Sequence, residues 1–281
     1  MQNGTIYVKK RNGDRVLFDE EKLIRALKSS GAKPLEIESA LRQVHKMLYD
    51  GISTHKIYQE AYRSLKKKSH HSAGRYRLKK AMMELGPTGY PFEKFVGKLF
   101  EGKGYRTQVG VVVQGACVQH EVDVIARNET EQIMVECKYH SDVSLKSDVK
   151  VALYIHSRFQ DVSKAWGELR ENEGLQFKGM VVTNTRFSDD AMQYAECVGM
   201  PLMSWDYPRG NSLKDWIDKL GYHPVTSLSR LNKMEKQHLL DKGIVLCRDL
   251  PGHKEVLQSL GFNKQKTDRV LTEVKALTGN Y

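Results

Sequence analysis

Two short runs in the middle of the chain place acids and a lysine at a spacing suited to phosphodiester hydrolysis. In Val118-Gln119-His120-Glu121-Val122-Asp123-Val124-Ile125, strand alternation sets Glu121 and Asp123 on one face and Val122 and Val124 on the other. In Ile133-Met134-Val135-Glu136-Cys137-Lys138, the same rule sets Glu136 beside Lys138, opposite Ile133, Val135 and Cys137. Two adjacent strands would then present Asp, Glu and Lys to one spot. Hydrolysis of a phosphodiester needs oxygen ligands for a hard divalent cation and a positive group near the attacking water. Asp123 and Glu136 supply the ligands, and Lys138 orients water and stabilises developing charge. Glu93, at the edge of a preceding helix's apolar stripe, is a third candidate acid and metal ligand. Taken bare, the spacing suits ordinary cross-strand charge pairs better, so the surrounding elements must decide.

Those elements favour a site. A helix opens at Pro91 with Phe92, Phe95, Val96, Leu99 and Phe100 at i, i+3, i+4, i+7 and i+8. Strand-like runs follow at 105–114, 117–127, 131–139 and 178–184, with helical patterns at about 144–171 and 188–198, which together make a mixed α/β core. Two turn clusters bound it, Gly86-Pro87-Thr88-Gly89-Tyr90-Pro91 and Asp206-Tyr207-Pro208-Arg209-Gly210-Asn211-Ser212. The expected domains are therefore 1–90, 91–208 and 209–281. The first reads as a hairpin turning at Asn12-Gly13, then helices, with Asp19 capping the first helix and Gly31 ending it. The last reads as short helices broken by Gly221, Gly243, Pro251-Gly252 and Gly261.

Composition limits the partners. With 40% hydrophobic and 28% charged residues the chain is globular, and three domains fit its 281 residues. No apolar run approaches the roughly 20 residues that span a bilayer, and the first residues lack a signal-peptide core, so a cytoplasmic protein without membrane contact is expected. Cys117, Cys137, Cys197 and Cys247 form no CxxC pair, which argues against zinc and disulfides. The net charge of +11 is uneven: 19 Lys and Arg against 9 Asp and Glu in 1–90, 13 against 17 in 91–208, and 13 against 8 in 209–281. Two basic flanks around an acidic middle suit a polyanion, either nucleic acid or nucleotide.

With those residues in view, 90–206 resembles the Mrr-like restriction endonucleases of the PD-(D/E)xK superfamily, through YPFEKFVGKLFEGKGY, HEVDVIA, IMVECKYH and GMVVTNTRFSDDAMQYAECVGMPLMS. The resemblance implies a restriction-endonuclease-like fold, metal ligation by Asp123 and Glu136 with Glu93, catalysis by these acids with Lys138, Mg²⁺ or Mn²⁺ as cofactor, and DNA as substrate. Val122 stands where the superfamily name implies proline, a position that varies among such enzymes. His120 and His140 flank the set and read as core or surface histidines.

The basic hairpin Val8-Lys9-Lys10-Arg11-Asn12-Gly13, followed by Lys22, clusters cations in the manner of a phosphate clamp. Together with Phe18-Asp19-Glu20-Glu21-Lys22-Leu23 and Tyr49-Asp50-Gly51-Ile52-Ser53-Thr54, it resembles the ATP-cone, a regulatory domain binding ATP or dATP. The resemblance implies that Lys10, Arg11 and Lys22 meet phosphates, Val8, Phe18 and Leu23 surround the base, and Thr54 lines the site; Asn12 replaces the usual aspartate. The C-terminal segment looks weakly like a helix-hairpin-helix or SAM-like module, and no binding residues stand out in it. The expectation is a homo-oligomeric, nucleotide-regulated DNA endonuclease, with a restriction or anti-phage role following from resemblance only. A nucleotide-sensing DNA-binding regulator with a silent nuclease-like domain, or a structure-selective repair nuclease, are the alternatives.

Overall fold

The computed structural model describes residues 6–10 and 12–279 and, of His71, the backbone alone. Asn12 and Gly13 make the hairpin turn. The Asn12 side-chain carbonyl accepts the Asp14 N–H at 3.3 Å, and Gly13 sits at φ +93°, where a Cβ would be strained. The turn joins β1 (Tyr7–Lys9) to β2 (Arg15–Leu17), and β3 (Ile52–Ser53) pairs parallel to β1 on its other side. Asp50 ties the three strands together, accepting the Tyr7 N–H at 3.0 Å and the Arg15 guanidinium at 2.5 Å. Around this sheet fold α1 (Glu20–Ser29), α2 (Pro34–Met47), α3 (Thr54–Lys68) and α4 (His70–Tyr76). Asp19 caps α1 through the Lys22 N–H at 2.8 Å, and the chain reverses at Gly31. Leu23, Leu27, Ile37, Val44, Ile57 and Leu65 form the core of this part.

After the short α5 (Leu78–Met82), α6 (Tyr90–Glu101) buries Phe92, Phe95, Val96, Leu99 and Phe100, the stripe its spacing predicts. Strands β4 (Arg106–Gln114), β5 (Gln119–Arg127) and β6 (Glu131–Lys138) follow as an antiparallel meander. Next come β7 (Lys146–Ser147), α7 (Val149–Gly167), β8 (Gln176–Thr183), β9 (Arg186–Phe187), α8 (Asp189–Cys197) and β10 (Leu202–Met203). The main sheet has the order β10-β8-β6-β5-β4, with β6, β8 and β10 parallel. Helices α7 and α8 cover one face, where Ile155, Val162, Trp166 and Ala191 pack on Val122, Ile125, Met134 and Val181. On α6, Gly97 faces Val109 and Val124 so closely that a Cβ there would meet Val109 Cγ2 at 2.9 Å.

This packing corrects one expectation from the sequence. Val122 and Val124 do not share a face: Val122 lies with Ile125 under α7 and α8, whereas Val124 faces Gly97 of α6. The alternation shifts phase between them, at Asp123. The β4–β5 pairs pass from Val109–Val124 to Val111–Val122, and Gly110, between them on β4, sits at φ +64°, the irregularity on the neighbouring strand. A two-residue periodicity carries no information about such a shift.

The C-terminal segment forms α9 (Leu213–Leu220), α10 (Lys233–Asp241), α11 (Lys254–Ser259) and α12 (Lys264–Thr278), with Gly221, Gly243 and Gly261 at positive φ between them. The described residues gather into two compact units, one within 6–80, 227–233 and 254–279, the other from Ala81–Thr226 and Met234–His253. Residues 209–281 thus contribute to both units. In the first unit the reason is visible. Glu273, only 2% exposed, accepts the backbone N–H of Ser229 at 2.7 Å and of Arg230 at 3.1 Å, and Gly74 of α4 leaves room for Leu277 of α12. Glu273→Ala should lower unfolding stability by about 1–3 kcal/mol, measured by chemical denaturation, because two N–H groups lose their acceptor; Glu273→Gln should lose less.

Candidate functional site

Asp123, Glu136 and Lys138 come together where β5 and β6 part. Backbone pairing between these strands runs from Arg127–Gln132 to Val124–Val135. At the next rung the Asp123 carboxylate takes the place of the ladder, its Oδ2 accepting the Cys137 N–H at 2.6 Å. Glu136, on β6 across from Asp123, is almost buried and held by two cations: Lys138 Nζ lies 2.5 Å from Oε1, and Arg158 Nη1 2.9 Å from Oε2. Lys138 keeps about a third of its side chain exposed, so its ammonium stands on the solvent side of the pair. The β6–β8 ladder fixes this end of β6, with Glu136 paired to Val181 and Lys138 to Thr183, whose hydroxyl donates to the Lys138 carbonyl at 2.8 Å.

The charges at this fork oppose one another. Burial, then the neighbouring Glu136, pushes the Asp123 carboxyl up to about 6, against the Cys137 N–H, Lys138 and Arg158. Burial, then Asp123, Glu121 and Glu136, pushes Glu93 up to about 7. Glu93 therefore lies within the electrostatic reach of the set. Among the described residues, however, no three His, Cys, Asp or Glu side chains converge closely enough to hold an ion by themselves. The donor chemistry nevertheless fits Mg²⁺ or Mn²⁺: hard carboxylate oxygens in mutual repulsion, which a cation relieves. Mg²⁺ characteristically takes only one or two carboxylates and fills its other positions with water and substrate oxygens. Asp123 and Glu136 would be that pair, with the Glu93 carboxyl coupled to both through its charge.

The two histidines have structural partners. His120 Nε2 meets Asp161 Oδ2 at 2.7 Å, and Asp161 also accepts the N–H groups of Cys117 and Val118, fastening the start of β5 to α7. His140 meets the Ser147 hydroxyl at 3.1 Å, and Asn184 brackets its backbone. Sequence reasoning missed Arg158. A lone arginine on an amphipathic helix carries no signal until β6 and α7 are brought together.

In the other unit, Val8, Lys10, Phe18, Lys22, Leu23 and Thr54 line one open cavity of about 570 Å³. Arg11 lies outside the described residues. Two further lining residues, Tyr58 and Tyr76, carry no motif signal; their rings stack with centroids 5.0 Å apart. The lining combines Lys10, Lys22 and Asp19 with apolar and aromatic groups, a mixture that suits a ligand with both a charged and a flat apolar part.

Family models match an ATP cone domain at residues 6–79, a restriction endonuclease domain at 87–208 and an AF1548-like C-terminal domain at 223–278. A protein of Archaeoglobus fulgidus described as uncharacterized is 35% identical over 185 residues, covering 66% of this chain and 100% of the relative. The chain belongs to the AF1548-like family. The crystal structure of AF1548, a protein of unknown function, superposes with a TM-score of 0.55 and 34% identity over 68% of this chain and 99% of that one. A repair endonuclease from Pyrococcus abyssi gives a TM-score of 0.28 at 15% identity over 39% of this chain and 44% of its own, too distant to bear on the fold. This AF1548-like protein thus joins an ATP-cone to a restriction-endonuclease domain. No helix among its described residues is long and apolar enough to cross a membrane.

The raised carboxyls set the sign of a pH effect. Because the folded-state values exceed the ordinary ones, the charged forms burden the fold above about pH 7, and the burden lifts as pH falls through about 7 and 6. In metal-free buffer at pH 8, Glu93→Gln and Asp123→Asn should each raise stability by on the order of 1 kcal/mol after allowance for solvent screening, and flatten the rise between pH 8 and 5. Thermal melts across that range measure it.

Proposed function

We propose that this protein is a metal-dependent DNA endonuclease whose activity answers to ATP or dATP held by its cone. The observation that supports this most is the meeting of Asp123, Glu136 and Lys138 at the fork of β5 and β6, inside a domain that matches the restriction endonucleases. Mg²⁺ or Mn²⁺ held by Asp123 and Glu136 would supply Lewis acidity at the phosphate and lower the pKa of water. Lys138, on the solvent side of Glu136, orients that water and offsets charge developing on the phosphate oxygens. Glu93 holds or releases a proton near neutral pH, which suits it to acid–base duty beside the pair. At the cone, Lys10, Arg11 and Lys22 take the phosphates, Val8, Phe18 and Leu23 enclose the base, and Thr54 lines the site. The basic N-terminal and C-terminal segments suit contact with the DNA backbone. Restriction of foreign DNA is the role we assign.

Plasmid cleavage with Mg²⁺, with and without ATP and dATP, tests the site and its control together. Lys138→Ala should cut at least about 100-fold more slowly while still binding ATP; equal nicking by wild type and variant would show the assigned centre to be wrong. Lys22→Ala should weaken ATP binding about 10-fold by calorimetry and leave nucleotide-free cleavage intact. A second reading, a nucleotide-sensing DNA-binding regulator that does not cut, draws on the occupation of both Glu136 oxygens by cations. DNA binding untouched by Asp123→Ala, with no cleavage under any metal, would select it. Branched and flapped substrates cut in preference to plain duplex would instead select a repair nuclease.

A further inference from the structure

The fork that creates the candidate centre also removes what holds its two strands together. Backbone pairing of β5 with β6 ends at Val124–Val135, short of Asp123 and Glu136. Past that rung the strands are linked by side chains. One link is the Asp123 carboxylate on the Cys137 N–H. The other is Arg158, from the middle of α7. Its Nη1 donates to Glu136 Oε2 of β6 at 2.9 Å, while Nη2 donates to the backbone carbonyl of Glu121 on β5. One planar guanidinium therefore spans the gap that the missing ladder leaves.

The surroundings fix the guanidinium as well. Tyr154, one turn earlier on α7, places its ring 5.4 Å from the guanidinium carbon, and the arginine side chain is only 12% exposed. Its Nε is buried without a hydrogen-bond partner, so its recorded hydrogen bonds all go to the two strands of the fork. Lysine could not reproduce this, because an ammonium is a single point of charge, whereas guanidinium presents donors on two arms in one plane.

We propose that Arg158 is a positioning residue of the metal centre: it staples β5 to β6 across the fork and fixes the Glu136 carboxylate for the cation. The inference rests on the metal-dependent reading above. Two effects of opposite sign separate it from a plain ion pair. Deleting a positive charge beside Glu136 would by itself tighten cation binding, whereas losing the staple frees Glu136 and weakens it. Outer partners that orient metal ligands typically contribute 10–100-fold in affinity.

The test is Mn²⁺ binding to the full chain, followed by electron paramagnetic resonance without DNA, for wild type, Asp123→Ala, Arg158→Ala and Arg158→Lys. ATP binding by the cone and the melting temperature serve as folding controls. Arg158→Ala should bind Mn²⁺ about 10–100-fold more weakly, Arg158→Lys should fall between it and wild type, and millimolar guanidinium should restore part of the loss in the alanine variant. Unchanged or tighter binding in Arg158→Ala, with Asp123→Ala deficient, overturns the proposal and leaves the metal centre standing. If Arg158→Ala does not fold, Arg158→Lys decides by the same criterion: weaker binding than wild type supports the staple, and equal or tighter binding overturns it. Wild-type binding by Asp123→Ala would overturn the metal centre itself, and the role of Arg158 with it.

Discussion

The centre depends on one break in a hydrogen-bond ladder. Where β5 and β6 stop pairing, a carboxylate is needed to satisfy the Cys137 N–H, and Asp123 supplies it from the strand opposite. That substitution of side chain for backbone brings the Asp123 and Glu136 charges together in a place with little water. Burial and the neighbouring carboxylates push the Asp123 and Glu93 carboxyls up. Lys138 and Arg158 offset part of it, and a divalent cation would offset more.

The rest of the endonuclease domain is arranged around that break. Helices pack on both faces of the sheet at the phase shift, α7 and α8 over Val122 and α6 over Val109 and Val124. The parallel β6–β8 ladder continues through Lys138, so β6 remains anchored on one side while its other side opens. Irregular backbone supported by regular pairing beside it is common in active sites.

The cone rests on a different constraint. Its three short strands are too small to stand alone, and Asp50 joins them through one N–H and one guanidinium. This explains the Tyr49-Asp50-Gly51 part of its motif as scaffold, while Thr54, just beyond, lines the cavity. The tail of the chain returns to this unit, where Glu273 satisfies two backbone groups of the 227–233 segment. Nothing in the local pattern around Glu273 marks it as a buried acceptor.

Much was legible from the sequence because it is written in local terms. Helix α6 follows from its apolar spacing, the first hairpin from Asn12-Gly13, and α1 from Asp19. The approximate extents of β4, β5, β6 and β8 follow from their apolar runs. Family resemblance, more than spacing, singled out Asp123, Glu136 and Lys138, and the cone residues that share one cavity. Three things only the tertiary structure decided. They are the phase shift at Asp123, the arrival of Arg158 from α7, and the division of the C-terminal helices between two units. Each depends on contacts between residues far apart along the chain, where periodicity and propensity, which act over a few residues, have nothing to say.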